Sequence, residues 1–344
     1  MTTVLVDWLG RGGIAQTTEA WARELDAAGE VVVVVTRPGR ELAGAPVTVV
    51  KGPERRGRIA THRDLATTAA RTIEERRPKV VVVANYLIPP LEVPVYEAAR
   101  RVGARIVLVV HDHRLHTRLA GTWVGMRRHV KAADVVVAHT RFVAKGVASG
   151  YGRNDVVVVP HPLPVGLLGA TRPPEPPLGA GPEAVALHFG VLHRRYKGTA
   201  TVVDLARSGV NGWRFALVGE GAPADVPGTV ALQGFVEPGL LLAAVEQSDA
   251  TLLPYRVATQ SGAVVLAQAL GSVAVASAVG GIPDQIDDGV DGRLVAAGAG
   301  SRAWAGVLSD LSDPGRRSAI AAAGRRRVQE GHRRFVGAIK ELVA

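Results

Sequence analysis

The chain has 344 residues, 47% of them hydrophobic and 21% charged, with 40 Gly, 21 Pro and no Cys. That length exceeds what one compact core usually serves, so two domains of about 150 residues each are expected and a disordered chain is excluded. Without Cys there is neither a disulfide framework nor a cysteine metal cluster, and the formal charge of +10 raises the question of an anionic partner.

In chain order, short β-branched runs recur at residues 4–6, 31–36, 47–50, 80–84, 106–110, 135–138 and 156–159. Their unbroken apolar character suits strands buried on both faces of a parallel sheet. Residues 17–28, 63–75 and 93–102 show helical spacing between them, which predicts an α/β, doubly wound, Rossmann-like domain over residues 1–165. Residues 166–183 read as a linker, because 171–182 is the richest Pro and Gly stretch of the chain. A second parallel-sheet domain is predicted over 184–320, with strands at 184–189, 213–218, 230–232, 250–253 and 273–277 and helices at 199–208, 238–247 and 263–270. Residues 321–344 form a helical tail, and the helical pattern from residue 302 onward breaks at Asp313-Pro314-Gly315.

The opening residues MTTVLVDWLG lack a basic stretch followed by a long apolar one, and the aliphatic runs are far shorter than the ~20 residues a membrane helix needs. A cytoplasmic protein is expected. Only six of the 41 basic residues are Lys and aromatic content is 4%. The charge therefore reads as Arg-rich composition, and no nucleic-acid partner is expected, since no stacking platform or binding module accompanies it.

Function in such folds sits where strand ends meet helix N-termini, whose unpaired N–H groups bind anions. Three segments fit. Gly10-Arg-Gly12-Gly13-Ile-Ala15 follows the first strand and satisfies a GxGxxA pattern; its bland alternative is a tight Gly-rich turn. The acidic residue expected after the second strand of a dinucleotide fold is replaced by Thr36-Arg37, so that pattern would have to select NADP through Arg37. Arg194, Arg195 and Lys197 stand at a helix entrance after the first strand of the second domain, suited to a diphosphate. Thr259, Gln260, Ser261 and Gly262 make a polar, cap-competent turn before an apolar helix, and Gly280-Gly-Ile-Pro-Asp284 follows one strand later; together they read as a ligand rim.

The order of these segments resembles a known family. Residues 11–36, 107–113 (VLVVHDH), 133–163, 187–198 (LHFGVLHRRYKG), 215–221 (FALVGEG), 230–236 (VALQGFV) and 251–295 are similar to the motifs of retaining glycosyltransferases of the GT-B fold, close to glycosyltransferase family 4. The resemblance covers nearly the whole chain. It implies two Rossmann-like domains facing across a cleft, the first holding the acceptor and the second a nucleoside-diphosphate sugar. Gly12 and Gly13 match the loop that approaches the donor phosphate and sugar, and His111 matches the histidine facing the transferred sugar. Without the resemblance, His111 reads as a strand-end histidine satisfied by Asp112. Arg194 and Lys197 match the basic pair on the diphosphate, while Glu220 and Val236 fall where the family contacts the nucleoside.

The chain departs from the family at three places. Thr259 and Ala267 occupy the positions of a glutamate pair eight residues apart, so the ribose contact passes to another group, with Gln268 a candidate. Val191 follows Gly190 where the family has Arg. The resemblance implies front-face transfer to a hydroxyl acceptor with retention, in which Arg194, Lys197 and backbone N–H groups stabilise the departing diphosphate. No cofactor and no metal are expected, and the chain has no Asp-x-Asp motif. Two alternatives stand beside it: an NADP-dependent oxidoreductase using Gly10, Gly12, Ala15 and Arg37, and a catalytically degenerate binding protein, suggested by Thr259 and Ala267. The acceptor is a small molecule, saccharide or lipid. Arg55, Arg56, Arg58, Arg63, Arg127, Arg128 and Lys131 either face solvent or make peripheral contact with an anionic membrane at its inner face.

Overall fold

The computed structural model describes residues 1–37, 47–52, 57–114 and 122–343. It divides into two compact units, Met1–Leu167 with His332–Ala344, and Leu168–Gly331. The first contains β1 (Thr2–Asp7), α1 (Gly12–Ala27), β2 (Val31–Thr36), β3 (Thr48–Lys51), α2 (Arg58–Arg76), β4 (Val80–Ala84), α3 (Pro89–Arg101), β5 (Arg105–Val110), α4 (Thr122–Ala132), β6 (Val135–Ala138), α5 (Arg141–Tyr151), β7 (Val156–Val158) and the short α6 (Val165–Leu168).

Its seven strands among the described residues are all parallel, in the order β3-β2-β1-β4-β5-β6-β7. Alternate residues of each strand enter opposite cores: Val4 and Val6 pack with Val33, Val81 and Leu108 on one face, Leu5 with Val34, Val82 and Val107 on the other. Burial on both faces explains why the strands are aliphatic without alternation. Asp7, Thr36 and Lys51 lie in register, as do Asp7 and Ala84, so these strands end abreast at one C-terminal edge.

The second unit contains β8 (Ala184–Phe189), α7 (Thr199–Ser208), β9 (Trp213–Gly219), β10 (Thr229–Gln233), α8 (Pro238–Gln247), β11 (Ala250–Leu253), α9 (Gly262–Leu270), β12 (Val273–Ser277), β13 (Arg293–Val295) and α10 (Ser301–Asp310). Its sheet is parallel with order β10-β9-β8-β11-β12-β13. In both units the chain reverses its winding beside the first strand, β1 or β8, and that switch point is where open α/β sheets bind ligands.

The partition differs from the expected one at two places. The Pro- and Gly-rich stretch is fastened to the second unit: Leu178 is buried, its N–H donates to Gln247 Oε1 at 3.0 Å, and Arg172 pairs with Glu246 at 2.7 Å. The tail is no separate element, because α11 runs unbroken over Pro314–Val343 and its last residues belong to the first unit. There Phe335, Ile339 and Leu342, spaced along one helix face, enter the core containing Leu25 and Trp21. The Phe335 ring meets Trp21 edge-on at 5.7 Å. Among the described residues no helix is long and apolar enough to cross a membrane.

Candidate functional site

In the second unit, five loops leave the C-terminal edge of one parallel sheet and carry most of the candidate donor residues. The loop after β8 begins at Gly190 and closes in a 3-10 turn, Arg195–Lys197, before α7. Gly198 ends that turn at φ +69, and a Cβ there would run into the Pro254 carbonyl. Glycine is therefore required for the turn to lie against the loop after β11. Arg256 N–H donates to the Tyr196 carbonyl at 2.8 Å and locks the two loops together.

This packing sets Lys197. Its Nζ donates to Tyr255 Oη at 3.3 Å and lies 4.7 Å from the Tyr255 ring centroid and 5.8 Å from that of Tyr196. Burial works to lower the pKa of this ammonium, the facing Tyr255 and Tyr196 outweigh it, and the net direction is upward. Lys197 is thus a fixed positive charge at neutral pH. Its amine stands over Gly190, where an added Cβ would lie 3.4 Å away.

Tyr255 extends the network, since Ser261 Oγ donates to its hydroxyl at 3.3 Å. Ser261 also caps α9, accepting from Val264 N–H at 3.3 Å. Its main chain is held twice by Gln285, through N–H to Oε1 at 2.7 Å and Nε2 to the carbonyl at 3.1 Å. Lys197, Tyr255, Ser261 and Gln285 thereby bind the loops after β8, β11 and β12 into one assembly. Tyr255 and Gln285 are absent from the sequence-derived set, although Tyr255 stands four residues before Thr259 and Gln285 directly follows Gly280–Asp284.

The remaining candidates distribute around this core. Arg194 and Arg195 are exposed in the same loop as Lys197. Thr259 and Gln260 lie in the loop after β11, and Gly262 is the first residue of α9. Glu220, just past β9, is exposed and faces His193 Nδ1 at 3.7 Å, while its carbonyl accepts from Leu192 N–H at 2.7 Å. Val236 is half-buried in the loop after β10. Gln268 behaves differently from the ribose ligand expected above. It is buried, and its Nε2 donates to the carbonyls of Asp291 at 3.1 Å and Gln285 at 3.4 Å, so its amide braces the loop before β13.

In the first unit, Gly12 and Gly13 form the first turn of α1, five residues earlier than the helical pattern predicts. Asp7 Oδ1 holds the preceding turn, accepting from Leu9 N–H at 2.8 Å and Gly10 N–H at 3.1 Å. His111 follows β5 directly and is buried, its ring 5.1 Å from His139, which in turn lies 5.2 Å from His161. His139 Nδ1 donates to the Val159 carbonyl at 3.0 Å. Burial first, then the neighbouring imidazoles, lowers His111 well below the usual histidine range; burial first likewise depresses His139, to about 3. The three rings are neutral at pH 7. Among the described residues no three His, Asp or Glu side chains are placed to hold a metal ion.

Arg37 leaves β2 beside the Gly10 loop and its Nη2 meets His62 Nδ1 at 3.2 Å. Arg58 and Arg63 lie in the first two turns of α2, and Arg127, Arg128 and Lys131 on α4, where Arg128 reaches Glu97 at 3.8 Å. Arg55 and Arg56 fall outside the described residues.

Comparison with known proteins matches residues 12–162 to the model of the glycosyl transferase 4-like domain and residues 183–313 to that of glycosyl transferases group 1. A D-inositol 3-phosphate glycosyltransferase from Actinosynnema mirum is 30% identical over 225 residues, which are 58% of this chain and 54% of that protein, so the match spans about half of the relative's length. Among solved structures, Anabaena HepE in complex with UDP-glucose superposes with a TM-score of 0.75 at 17% identity, covering 100% of this chain and 98% of that one. The sucrose-phosphate synthase of Thermosynechococcus elongatus gives 0.79 at 15% identity, covering 99% and 98%. Both family models match in the expected order, one on each unit, the solved structures share the two-sheet fold, and the chain belongs to the GT-B-fold glycosyltransferases related to family 4.

Proposed function

We propose that this protein transfers a sugar from a nucleoside diphosphate to a hydroxyl acceptor, with retention of anomeric configuration and without a metal ion. The observation that carries this is Lys197, a charged amine fixed by Tyr255 over Gly190 at the C-terminal edge of the second sheet. Beside it α7 begins without a side-chain cap among the described residues, so its first N–H groups can receive phosphate oxygens. The UDP-glucose named with HepE and the glycosyl transfer named for the Actinosynnema relative support the same reading.

In this mechanism the acceptor oxygen bonds to the anomeric carbon on the face from which the diphosphate departs. The carbon–oxygen bond to phosphate breaks, its electron pair stays on the diphosphate, and the acceptor proton passes to that oxygen. Negative charge grows on the leaving group. Lys197, Arg194 and the N–H groups of α7 and α9 are the groups assigned to stabilise it. Glu220 and Val236 are assigned to the nucleoside, Thr259, Gln260, Ser261 and Gly262 to the donor sugar side, and Gly12, Gly13 and His111 to the sugar from the first unit. His111, held neutral, serves as a hydrogen-bonding partner and not as a cation.

Thermal denaturation with a panel of nucleoside diphosphates and their sugar conjugates tests the reading, because a ligand selective for the folded state stabilises it by RT ln(1 + [L]/Kd). At least one diphosphate is expected to raise Tm, and Lys197→Ala is expected to lower turnover by ~10²–10³. No stabilisation by any of them, or full turnover in the variant, removes the assignment.

A further inference from the structure

We infer that the first unit holds a binding site for a phosphomonoester, built by Arg11, Arg37 and Arg58, and that this site takes the charged group of the acceptor. The word acceptor rests on the glycosyltransferase reading above; the anion site itself does not.

Three strands deliver these side chains to one place. Asp7, Thr36 and Lys51 end β1, β2 and β3 in register, and Arg11, Arg37 and Arg58 follow within the loops that leave this edge. Arg11 is the N-cap of α1 and Arg58 the first residue of α2. Among the described residues neither helix has a side-chain cap or an acidic residue in its first turn. Two uncapped N-termini thus add their partial positive charge to that of the guanidiniums.

Arg37 occupies the centre. Its carbonyl lies so near Gly10 (φ +65) that a Cβ there would collide with it, and would stand 2.9 Å from Thr36 Oγ1. A guanidinium only donates, so His62 Nδ1 accepts from Arg37 Nη2, and His62 Nε2 carries the proton facing Glu92 Oε1 at 3.0 Å. His62 and Glu92 are fully buried. Glu92 Oε1 also receives the N–H groups of Leu87 and Ile88 at 2.7 and 2.6 Å. The Arg37 guanidinium is therefore oriented from behind by a rigid interior network. Yet among the described residues Arg37 Nε and Thr36 Oγ1 are buried without a hydrogen-bond partner, and a buried polar group left unmet in this way is costly.

Charge points to the ligand class. Burial first, then the charges of Arg58 and Arg11, lower the Arg37 pKa, while Asp7 is the carboxylate that opposes them. Among the described residues that bear on Arg37, two further guanidiniums stand against one carboxylate, an excess of positive charge. Asp7 Oδ1 is engaged with the N–H groups of Leu9 and Gly10, and Glu92 stands behind the His62 ring. A phosphomonoester carries about −1.5 to −2 at neutral pH and three acceptor oxygens, and the planar fork of Arg matches it. A carboxylate brings only about half of that charge.

Inorganic phosphate, titrated at constant ionic strength and followed by thermal denaturation, is the probe. Wild type is expected to be stabilised, with half-saturation raised at least tenfold in Arg37→Gln and Arg58→Gln and unchanged in Lys197→Ala. Arg58 is exposed, so its variant keeps the test valid if Arg37→Gln misfolds. Loss in Lys197→Ala alone, equal stabilisation of all four proteins, or none in wild type overturns the site. In a second arm, glycerol 3-phosphate is expected to compete with phosphate where glycerol does not; NADP competing far better than either would move the site to a nicotinamide nucleotide and overturn the acceptor assignment. If phosphate behaves as stated while no nucleoside diphosphate binds, the anion site stands and the glycosyltransferase reading falls. The converse result removes only the anion site.

Discussion

The two sheets share a strand order but equip their switch points in different ways. In the first unit β1 passes into α1 through Trp8–Arg11, which brings to the edge the Gly10 turn, the first N–H groups of the helix and the exposed Arg11 side chain. In the second, the longer segment between β8 and α7 makes a 3-10 turn and delivers the Lys197 ammonium. The short loop leaves its cation exposed, whereas the longer one holds Lys197 half-buried against Tyr255. The interior chemistry differs as well. Around Lys197 the polar side chains bind one another through Tyr255, Ser261 and Gln285. The first unit instead leaves Arg37 Nε, Thr36 Oγ1 and His139 Nε2 buried without partners among the described residues, and it also buries the His62–Glu92 pair.

That pair gives the most severe way to break the contrast. His62 and Glu92 are both fully buried at 3.0 Å, with His129 Nε2 on the other carboxylate oxygen at 3.5 Å. His129 Nε2 donates to the Pro89 carbonyl at 2.8 Å, so Glu92→Ala deprives the His62 imidazole and two main-chain N–H groups of their acceptor, and a loss of about 3–5 kcal/mol in urea unfolding is expected. A loss below about 1 kcal/mol would mean that this interior tolerates solvent, and the fixed orientation of Arg37 would go with it.

Acid separates the units next. Burial first depresses His111, His129, His139 and His161 in the first unit, and His188, to about 4, in the second. A histidine depressed in the fold binds fewer protons than it does unfolded. Its contribution is complete above pH 6.5 and falls as pH drops toward the folded value, by about 1.4 kcal/mol per pH unit for each ring. Peptides of the first unit should therefore gain hydrogen exchange at higher pH than those of the second, between pH 6.5 and 5, before most carboxylates titrate. Simultaneous onset in both units would sink the comparison.

Much of the fold is legible locally, and much of the site is not. Unbroken Val runs announce strands covered on both faces, and the predicted strand over residues 184–189 coincides with β8. Helical spacing starts the first helix at Thr17, whereas Gly12 and Gly13 form its first turn, where N–H groups lack intrahelical partners in any case. Helix α5 is not among the expected elements, although Thr140 caps it and Gly152 ends it in the left-handed conformation. Basic residues beside a predicted strand end identify Lys197. Its partner Tyr255 lies 58 positions away and the His62–Glu92 pair spans 30, separations at which no local pattern shows which polar side chain turns inward.

Tyr255→Phe sharpens the comparison at the second switch point. The ring remains under the ammonium while the hydroxyl shared by Lys197 and Ser261 is lost. Turnover is expected to fall about tenfold, ~1.4 kcal/mol, with Tm nearly unchanged. A fall as large as that of Lys197→Ala would show that the hydroxyl, not the ring, holds the amine in place.

The smallest expected effect uses the same two residue types in the opposite environment. His193 and Glu220 face each other at 3.7 Å with side chains 46% and 64% exposed, where water screens the pair and each side chain gives up rotamer freedom to keep it. His193→Ala is expected to change stability by less than about 1 kcal/mol, against the several lost with Glu92. The histidine and the carboxylate are the same; only their burial differs. If the two losses prove similar, the loop carrying Glu220 is packed more rigidly than its exposure implies, and its carboxylate is not free to turn toward a ribose. If they differ as expected, Glu220 can leave His193 at little cost, as a nucleoside contact must.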